Sequence, residues 1–461
     1  MSGLDIGMGM ERGDSRAGAA PGPPAPTHPH ASAHASAHVT NSAARQRADL
    51  GHLAGAAAFL ALYPGFFFYH SGLGLGLIGA MLGGFFSPVS LMAAPLLCYF
   101  YVHRVRHDRN YFTGFDLCLL LYLAYFGALV VVNAIAGANP VIVSNHVQAI
   151  IFILNTFLIF RMTDFGNRRL RLLLVLTLCA MSAIVFAYSV DGSFYLAPLG
   201  SAKNPESLAT YQGFSRSYLF TFAAVIGFVR ARRVRVLLYC LAAPTLFVNT
   251  ARSEFAAMLF MIPIIELYFA RRKLLMASVF ALLFLLLYAN LDQVLALLPS
   301  NRILELLDLS HSTSANKRHH LSMYAMNTIA RFPAFGDYAS YSPGFYSHNV
   351  LSAWVDTGFF GFLFVLGILL VPAVPMAFKG YFARTKSSRF ILAFALCCIT
   401  VLLLITSHYF TDMLIGATLG AYAAFRYGRK HGSHRAPDFC PPSPGHPYLH
   451  QAMPLAGAAR P

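Results

Sequence analysis

The sequence predicts an all-α, polytopic membrane protein with about twelve transmembrane helices, on three observations. Of 461 residues, 57% are apolar and only 11% charged, against about 25% charged in an ordinary soluble domain. The apolar residues come in runs of the roughly 20 needed to cross about 30 Å of hydrocarbon. The segments between those runs are alternately rich and poor in Lys and Arg, as loops on the two sides of a membrane are. Together these exclude a soluble enzyme, a disordered chain and a fibrous repeat. The net charge of +16, from 34 Lys+Arg against 18 Asp+Glu, is dispersed in short clusters with no basic helix interleaved with aromatics. A lipid bilayer is therefore the expected partner, and nucleic acid is not.

Taken in order, residues 1–49 are rich in Ala, Pro, Gly, Ser and His, with no apolar stretch ahead of a cleavage site. They read as a disordered cytoplasmic tail rather than a signal peptide. The spaced His28, His30, His34 and His38 fit low-complexity drift better than a metal site. The membrane domain occupies 50–430, with spans centred near residues 60, 93, 123, 154, 180, 222, 242, 262, 282, 360, 397 and 418. The stretch 71–102, glycine-rich at its start and interrupted by Pro88 and Pro95, is expected to begin with a re-entrant piece. Residues 431–461 read as a second disordered cytoplasmic tail.

Sidedness follows from the basic residues. With the first tail inside, segments 103–109, 161–171, 230–235, 271–273, 379–389 and 426–430 carry 21 Lys and Arg. The opposite segments (70–75, 134–146, 191–213, 251–253, 292–347 and 406–410) carry six, although they are longer in total. The asymmetry predicts both termini in the cytoplasm. Two outer segments are sizeable, 191–213 and 292–347, the latter between spans nine and ten. In 292–347, and in the residue before it, LDQVLALLPSNRILELLDL and NKRHHLSMYAMNTIARF show helical apolar spacing. They are expected to form amphipathic helices at the outer, periplasmic face. Six of the seven cysteines lie within apolar runs with no C-x-x-C, and read as small buried apolar side chains.

Four features stand out from the apolar background. Arg252, in the short NTARSEF connection between spans seven and eight, must sit at the outer interface, where a guanidinium is costly. Its planar fork suits phosphate; the plainer alternative is a snorkelling Arg paired with Glu254. Lys317-Arg318-His319-His320 precedes a loop helix. Arg318 is its best candidate for a second cation on the same anion, against a merely solvated charge cluster. His348, in Ser347-His348-Asn349 before span ten, can accept a proton from a hydroxyl as a neutral imidazole, or be satisfied by backbone and water. Gly358 and Gly361 within span ten are expected to serve close helix packing. Asp356 is about two turns from His348, some 12 Å by helical rise, too far for a His–Asp dyad. No outward D-x-D, Walker or H-E-x-x-H sequence occurs. Chemistry at the outer face is therefore expected to use neither metal nor cofactor, with arginines neutralising the anion.

These residues, in this order, resemble the O-antigen ligase/O-antigen polymerase superfamily of polytopic membrane glycosyltransferases, over residues 50–430. The resemblance rests on Arg252-Ser253 after span seven, on Arg331, Pro333 and Gly336 spaced as R-x-x-P-x-x-G, and on His348-Asn349 followed by Gly358 and Gly361. Arg318, and Asn204-Pro205 with Leu208-Ala209, add to it. The chain departs from that pattern in the eight residues between Asn349 and Gly358, in Asp337 where a glycine-rich step is common, and in Asp356 where Glu is common.

The resemblance implies a glycan donor linked to undecaprenyl diphosphate, taken from the outer leaflet of a bacterial inner membrane. A hydroxyl of an acceptor attacks the anomeric carbon and the lipid diphosphate leaves. The acceptor is another lipid-linked repeat in a polymerase, lipid A–core in a ligase, and a protein Ser or Thr in a third branch. His348, Arg252 and Arg318 would be catalytic; Arg331, Arg216 and Asn349 would hold phosphate or sugar. Polymerisation of a surface polysaccharide (O-antigen, capsule or exopolysaccharide) is the first reading and ligation the second. A transporter or flippase is the rival from another class, although its ionisable groups would be expected near mid-membrane with internal repeats.

Overall fold

The computed structural model describes residues 50–79, 81–82, 84–194, 211–291, 293, 303 and 313–428. The predicted tails 1–49 and 431–461, residues 204–209 and most of LDQVLALLPSNRILELLDL lie outside them. The protein is mostly helical, and each of the twelve predicted span centres falls within a helix. The helices are α1 (Leu50–Gly74), α2 (Phe86–His107), α3 (Gly114–Ile135), α4 (Pro140–Met162) and α5 (Arg168–Ala187). There follow α6 (Tyr211–Ile226), α7 (Arg232–Val248), α8 (Arg252–Phe269), α9 (Lys273–Ala289) and α10 (Thr313–Arg331). The last are α11 (Leu351–Pro375), α12 (Ser388–Thr406) and α13 (Leu414–Tyr427). Among the described residues, seven helices (α1 to α5, α11 with its π-turn to Gly380, and α12) are long and apolar enough to cross a membrane. This is an all-α polytopic membrane protein. The apolar α9 has no buried residue at all, as a helix facing lipid would have.

Local chemistry sets the helix ends. Thr113 and Asp116 form a reciprocal capping box at the start of α3. Asn139 and Asn167 cap α4 and α5 with their side-chain oxygens. Between α1 and α2, where the sequence suggests a re-entrant piece, the described residues form turns and bends. Gly76, at φ +70°, ends α1 in the left-handed conformation that only glycine adopts without penalty. Pro88 falls in the first turn of α2, where its missing N–H leaves no bond unmade. A short antiparallel pair, β1 (Ser189–Val190) and β2 (Ser193–Phe194), leads into the sizeable segment 191–213.

Charges at one end of the bundle are neutralised in place. Arg161 Nε lies 3.2 Å from Asp116 Oδ1, both side chains fully buried, and its other nitrogens donate to the carbonyls of Tyr111 and Ala423. Arg235 grips Glu266 bidentately, at 2.5 and 2.9 Å, with Tyr239 donating to the same carboxylate. These four residues fall at the helix ends that carry most of the chain's Lys and Arg.

Two sets of glycine contacts shape the packing between elements. Gly416 and Gly420 on α13 press against α4: a Cβ on either would run into the carbonyl of Ile153 or of Phe157. This is the small-x-x-x-small crossing of two helices. Gly358 does something different from the helix packing expected of it. At φ +69° it breaks α11, and a Cβ there would meet Ala334 O at 2.5 Å and Phe335 C at 2.7 Å. The backbone of 334–337 inserts into the gap. Phe359 N donates to Ala334 O at 3.1 Å and Asp337 N to Val355 O at 2.7 Å, so the loop takes over ladder bonds of the helix. Gly336, at φ +70°, has no room for a Cβ against Val355 O, which explains the glycine of the R-x-x-P-x-x-G stretch. Gly361 does support packing, with Tyr125 of α3 close by. The cysteines also depart from expectation: among the described residues only Cys397 is buried, while Cys118, Cys179 and Cys240 are exposed on their helices, where an apolar thiol faces lipid as readily as core.

Candidate functional site

A cavity of about 400 Å³ opens where several helix ends meet. Its wall comes from the start of α4, the starts of α6 and α8, α10, the loop ahead of α11, and the turn between α12 and α13. All are at ends the charge asymmetry assigns to the side opposite the basic loops. Arg216, Arg318 and His348, far apart in sequence, all line it.

Arg216, on the second turn of α6, has its guanidinium Nη2 3.0 Å from Asp412 Oδ2 and 3.6 Å from Glu254 Oε1. His408 completes the cluster, with Nδ1 3.0 Å from Asp412 Oδ2 and Nε2 3.8 Å from Glu254 Oε1. His408, Asp412 and Glu254 are almost fully buried, whereas Arg216 keeps 27% of its side chain accessible toward the cavity. Burial pushes the Asp412 carboxyl upward, but the Arg216 guanidinium and His408 overcome it and hold the group well below the usual carboxylate range. Asp412 is therefore an anion at every physiological pH.

His348 stands on the opposite footing. Burial, then the positive charge of Arg318, then His408, push its imidazole down to about 4. The ring is neutral at neutral pH, as a hydroxyl-binding imidazole requires. It packs on Tyr346, ring centres 4.7 Å apart, and Tyr346 in turn packs on Tyr409 at 4.5 Å. Burial raises the Tyr346 phenol above its ordinary range, so that it remains protonated.

A second network fixes this wall. Asp356, buried in the first turns of α11, accepts from Ala339 N at 3.0 Å, from Tyr341 OH at 3.0 Å, and from Tyr409 OH. His146 on α4 bridges Tyr338 OH at 2.8 Å and Tyr409 OH at 2.9 Å. As Tyr409 donates to Asp356, its oxygen is left to accept from His146 Nε2, so Tyr338 donates to Nδ1. The loop 338–341, the 407–413 turn, α4 and α11 are thereby tied together around the cavity. No His348–Asp356 contact is involved; Asp356 serves the tyrosines instead.

The remaining predicted residues lie elsewhere. Arg252 is half-buried at the start of α8, outside the cavity wall but next to its residues Ser253 and Glu254. Glu254 faces Arg216 and His408. Arg331 is exposed at the end of α10, outside the wall. Asn349 is engaged within the fold: its Oδ1 accepts from Leu351 N and Ser347 Oγ, and its Nδ2 donates to Ser322 Oγ, joining α10 to the start of α11. His146, His408, Tyr409 and Asp412 were not singled out from the sequence. The one available signal was the polar run SHYFTD between two spans, with His408 and Asp412 four residues apart.

What the fold and the site define is a polytopic helical membrane protein with a partly charged cavity at one face. No protein-family model matches the chain, and no curated protein matches it.

Proposed function

We propose that the protein transfers a glycan from undecaprenyl diphosphate to a sugar hydroxyl at the periplasmic face of a bacterial inner membrane. Its first role in this reading is to polymerise the repeat units of a surface polysaccharide. The observation that carries it is the convergence of Arg216, Arg318 and His348, residues of three separate segments, on one cavity. In this reading the helices at the twelve predicted centres all cross the membrane, with both termini cytoplasmic.

The chemistry fits the wall. The acceptor oxygen bonds to the anomeric carbon, the bond from that carbon to the diphosphate breaks, and the electron pair leaves with the diphosphate. The hydroxyl proton passes to an imidazole. Diphosphate is an able leaving group, and fixed guanidinium groups stabilise the charge it gains. Arg318 lines the same cavity as His348 and Tyr346, so in this reading it serves the donor phosphate beside the acceptor hydroxyl. A bound diphosphate offsets the positive charge that depresses His348. Arg216, engaged by two carboxylates, presents its remaining face to the cavity. Arg252, one residue from the wall, is the reserve phosphate ligand.

Deleting the gene tests the reading. Single repeats left on the lipid A–core indicate a polymerase. Loss of all attached glycan with long lipid-linked chains retained indicates a ligase. An unchanged glycan profile, with no lipid-linked precursor accumulating, overturns glycan transfer altogether.

A further inference from the structure

Three imidazoles line the cavity; both ring nitrogens of His146 are engaged by Tyr338 and Tyr409, and the other two have surroundings that differ in sign. His348 is set against Arg318; His408 lies between two carboxylates. We propose that His408, paired with Asp412, is the general base that takes the proton of the acceptor hydroxyl, and that His348 holds that hydroxyl as a neutral hydrogen-bonding group. The inference rests on the transfer reaction proposed above and assigns a residue that the sequence pattern does not mark.

The argument is electrostatic and geometric. Arg216, Asp412 and Glu254 form a cluster with one formal positive and two formal negative charges, and an imidazolium at His408 balances it. Nδ1 of His408 lies 3.0 Å from Asp412 Oδ2, close enough for the carboxylate to steady the cation that forms. Nε2 is 3.8 Å from Glu254 Oε1, beyond hydrogen-bonding distance, so it has not spent its lone pair on that neighbour. A proton arriving at Nε2 completes an imidazolium flanked by opposite charges on both sides. The same proton on His348 would create a cation in a buried pocket facing Arg318; burial first, and Arg318 after it, hold His348 down to about 4. The groups facing His408 are Asp412 on its own turn, Glu254 on α8, Arg216 on α6 through both carboxylates, and His348 ahead of α11. In the step itself the acceptor oxygen bonds to the anomeric carbon and the diphosphate departs with the electron pair. The proton moves to His408 Nε2.

The test uses the purified full-length chain in lipid vesicles, with lipid-linked glycan extracted from the deletion strain as donor and acceptor. His408→Gln keeps a polar side chain of similar size that cannot take a proton, and is expected to lower kcat by about 100-fold or more, the usual contribution of a general base. His348→Gln retains a hydrogen-bonding group and is expected to lose about tenfold or less. Added imidazole should restore transfer to His408→Ala but not to His348→Ala. Size-exclusion elution normalises each rate to folded protein, with His408→Asn taking over if His408→Ala aggregates. Activity of His408→Gln within about threefold of the unmodified chain, or imidazole rescue at position 348 alone, overturns the assignment. Absence of transfer by the unmodified chain overturns glycan transfer itself, a separate failure.

Discussion

Replacing Gly358 by Ala puts the splice between loop and helix to a quantitative test. Gly358 sits at φ +69° and ψ −176°, a region used essentially by glycine alone, where another residue incurs about 1–3 kcal/mol of strain. The added Cβ also meets Ala334 O at 2.5 Å and Phe335 C at 2.7 Å. These are backbone atoms without a rotamer to escape into, and overpacking of this kind adds about 1–3 kcal/mol. The expected destabilisation is therefore about 2–6 kcal/mol, a large part of the 5–15 kcal/mol that typically holds a domain. Gly367→Ala in the same helix is the control. A Cβ there meets nothing within 4 Å, and removing an interior helical glycine gains about 0.5–1 kcal/mol. Thermal unfolding of the purified proteins, followed by circular dichroism or a thiol-reactive dye, should show a markedly lower midpoint for Gly358→Ala and an equal or higher one for Gly367→Ala. Since 334–337 leads directly into the cavity wall, glycan transfer should fall with the first and not with the second. Equal midpoints for Gly358→Ala and the unmodified protein would refute the splice.

Other outcomes follow from the same contacts. Arg318→Lys keeps the charge but loses the planar fork and should cut transfer about tenfold or more, whereas Arg252→Lys, outside the wall, should cut it less; the reverse order in a glycan-ladder assay would move the phosphate site to α8. Asp116→Asn strands the buried Arg161 guanidinium and should destabilise the protein by about 3–5 kcal/mol, read as a lowered unfolding midpoint. His348 has a folded value of about 4, below its ordinary 6.5. The unfolded chain binds the extra proton between those values, so the His348 contribution to stability is full above pH 6.5 and declines as pH falls toward 4. His348→Gln should flatten the fall in unfolding midpoint across that window. Transfer by the purified chain should persist in excess EDTA, and a requirement for added Mg²⁺ would contradict arginine-based neutralisation of the leaving group.

Much of the architecture was legible because a bilayer imposes it. Lipid demands long apolar runs and sorts Lys and Arg to one side, and all twelve centres read from those rules lie in helices. Arg318 and His348 stood out at predicted outer ends, Arg216 entered only through the family resemblance, and the fold brings all three to one cavity. The other half of the cavity was silent for a physical reason. Asp412 and His408 sit in a seven-residue connection, 407–413, between apolar helices, too short to show a pattern, and their meaning lies in partners distant along the chain. Glu254 illustrates this: adjacency in sequence suggested Arg252, while the fold turns it toward Arg216 and His408. The glycines at 416 and 420 carried a recognisable spacing. Gly358 resembled the same motif but serves a broken helix, a distinction that only backbone torsion reveals.

Because 334–337 shares ladder bonds with α11 while Asp356 anchors Tyr341 and Ala339, one side of the cavity is stitched into a span at two separate points. The 407–413 turn is held as well, through Tyr409 to Asp356 and His146 and through Phe410 N to Ser352 Oγ, so if the cavity serves the proposed transfer, motion that admits a polyprenyl carrier is expected at α10. A cross-link that pins α10 should therefore halt turnover, while tethering 338–341 or 407–413 to α11 merely repeats a restraint already present.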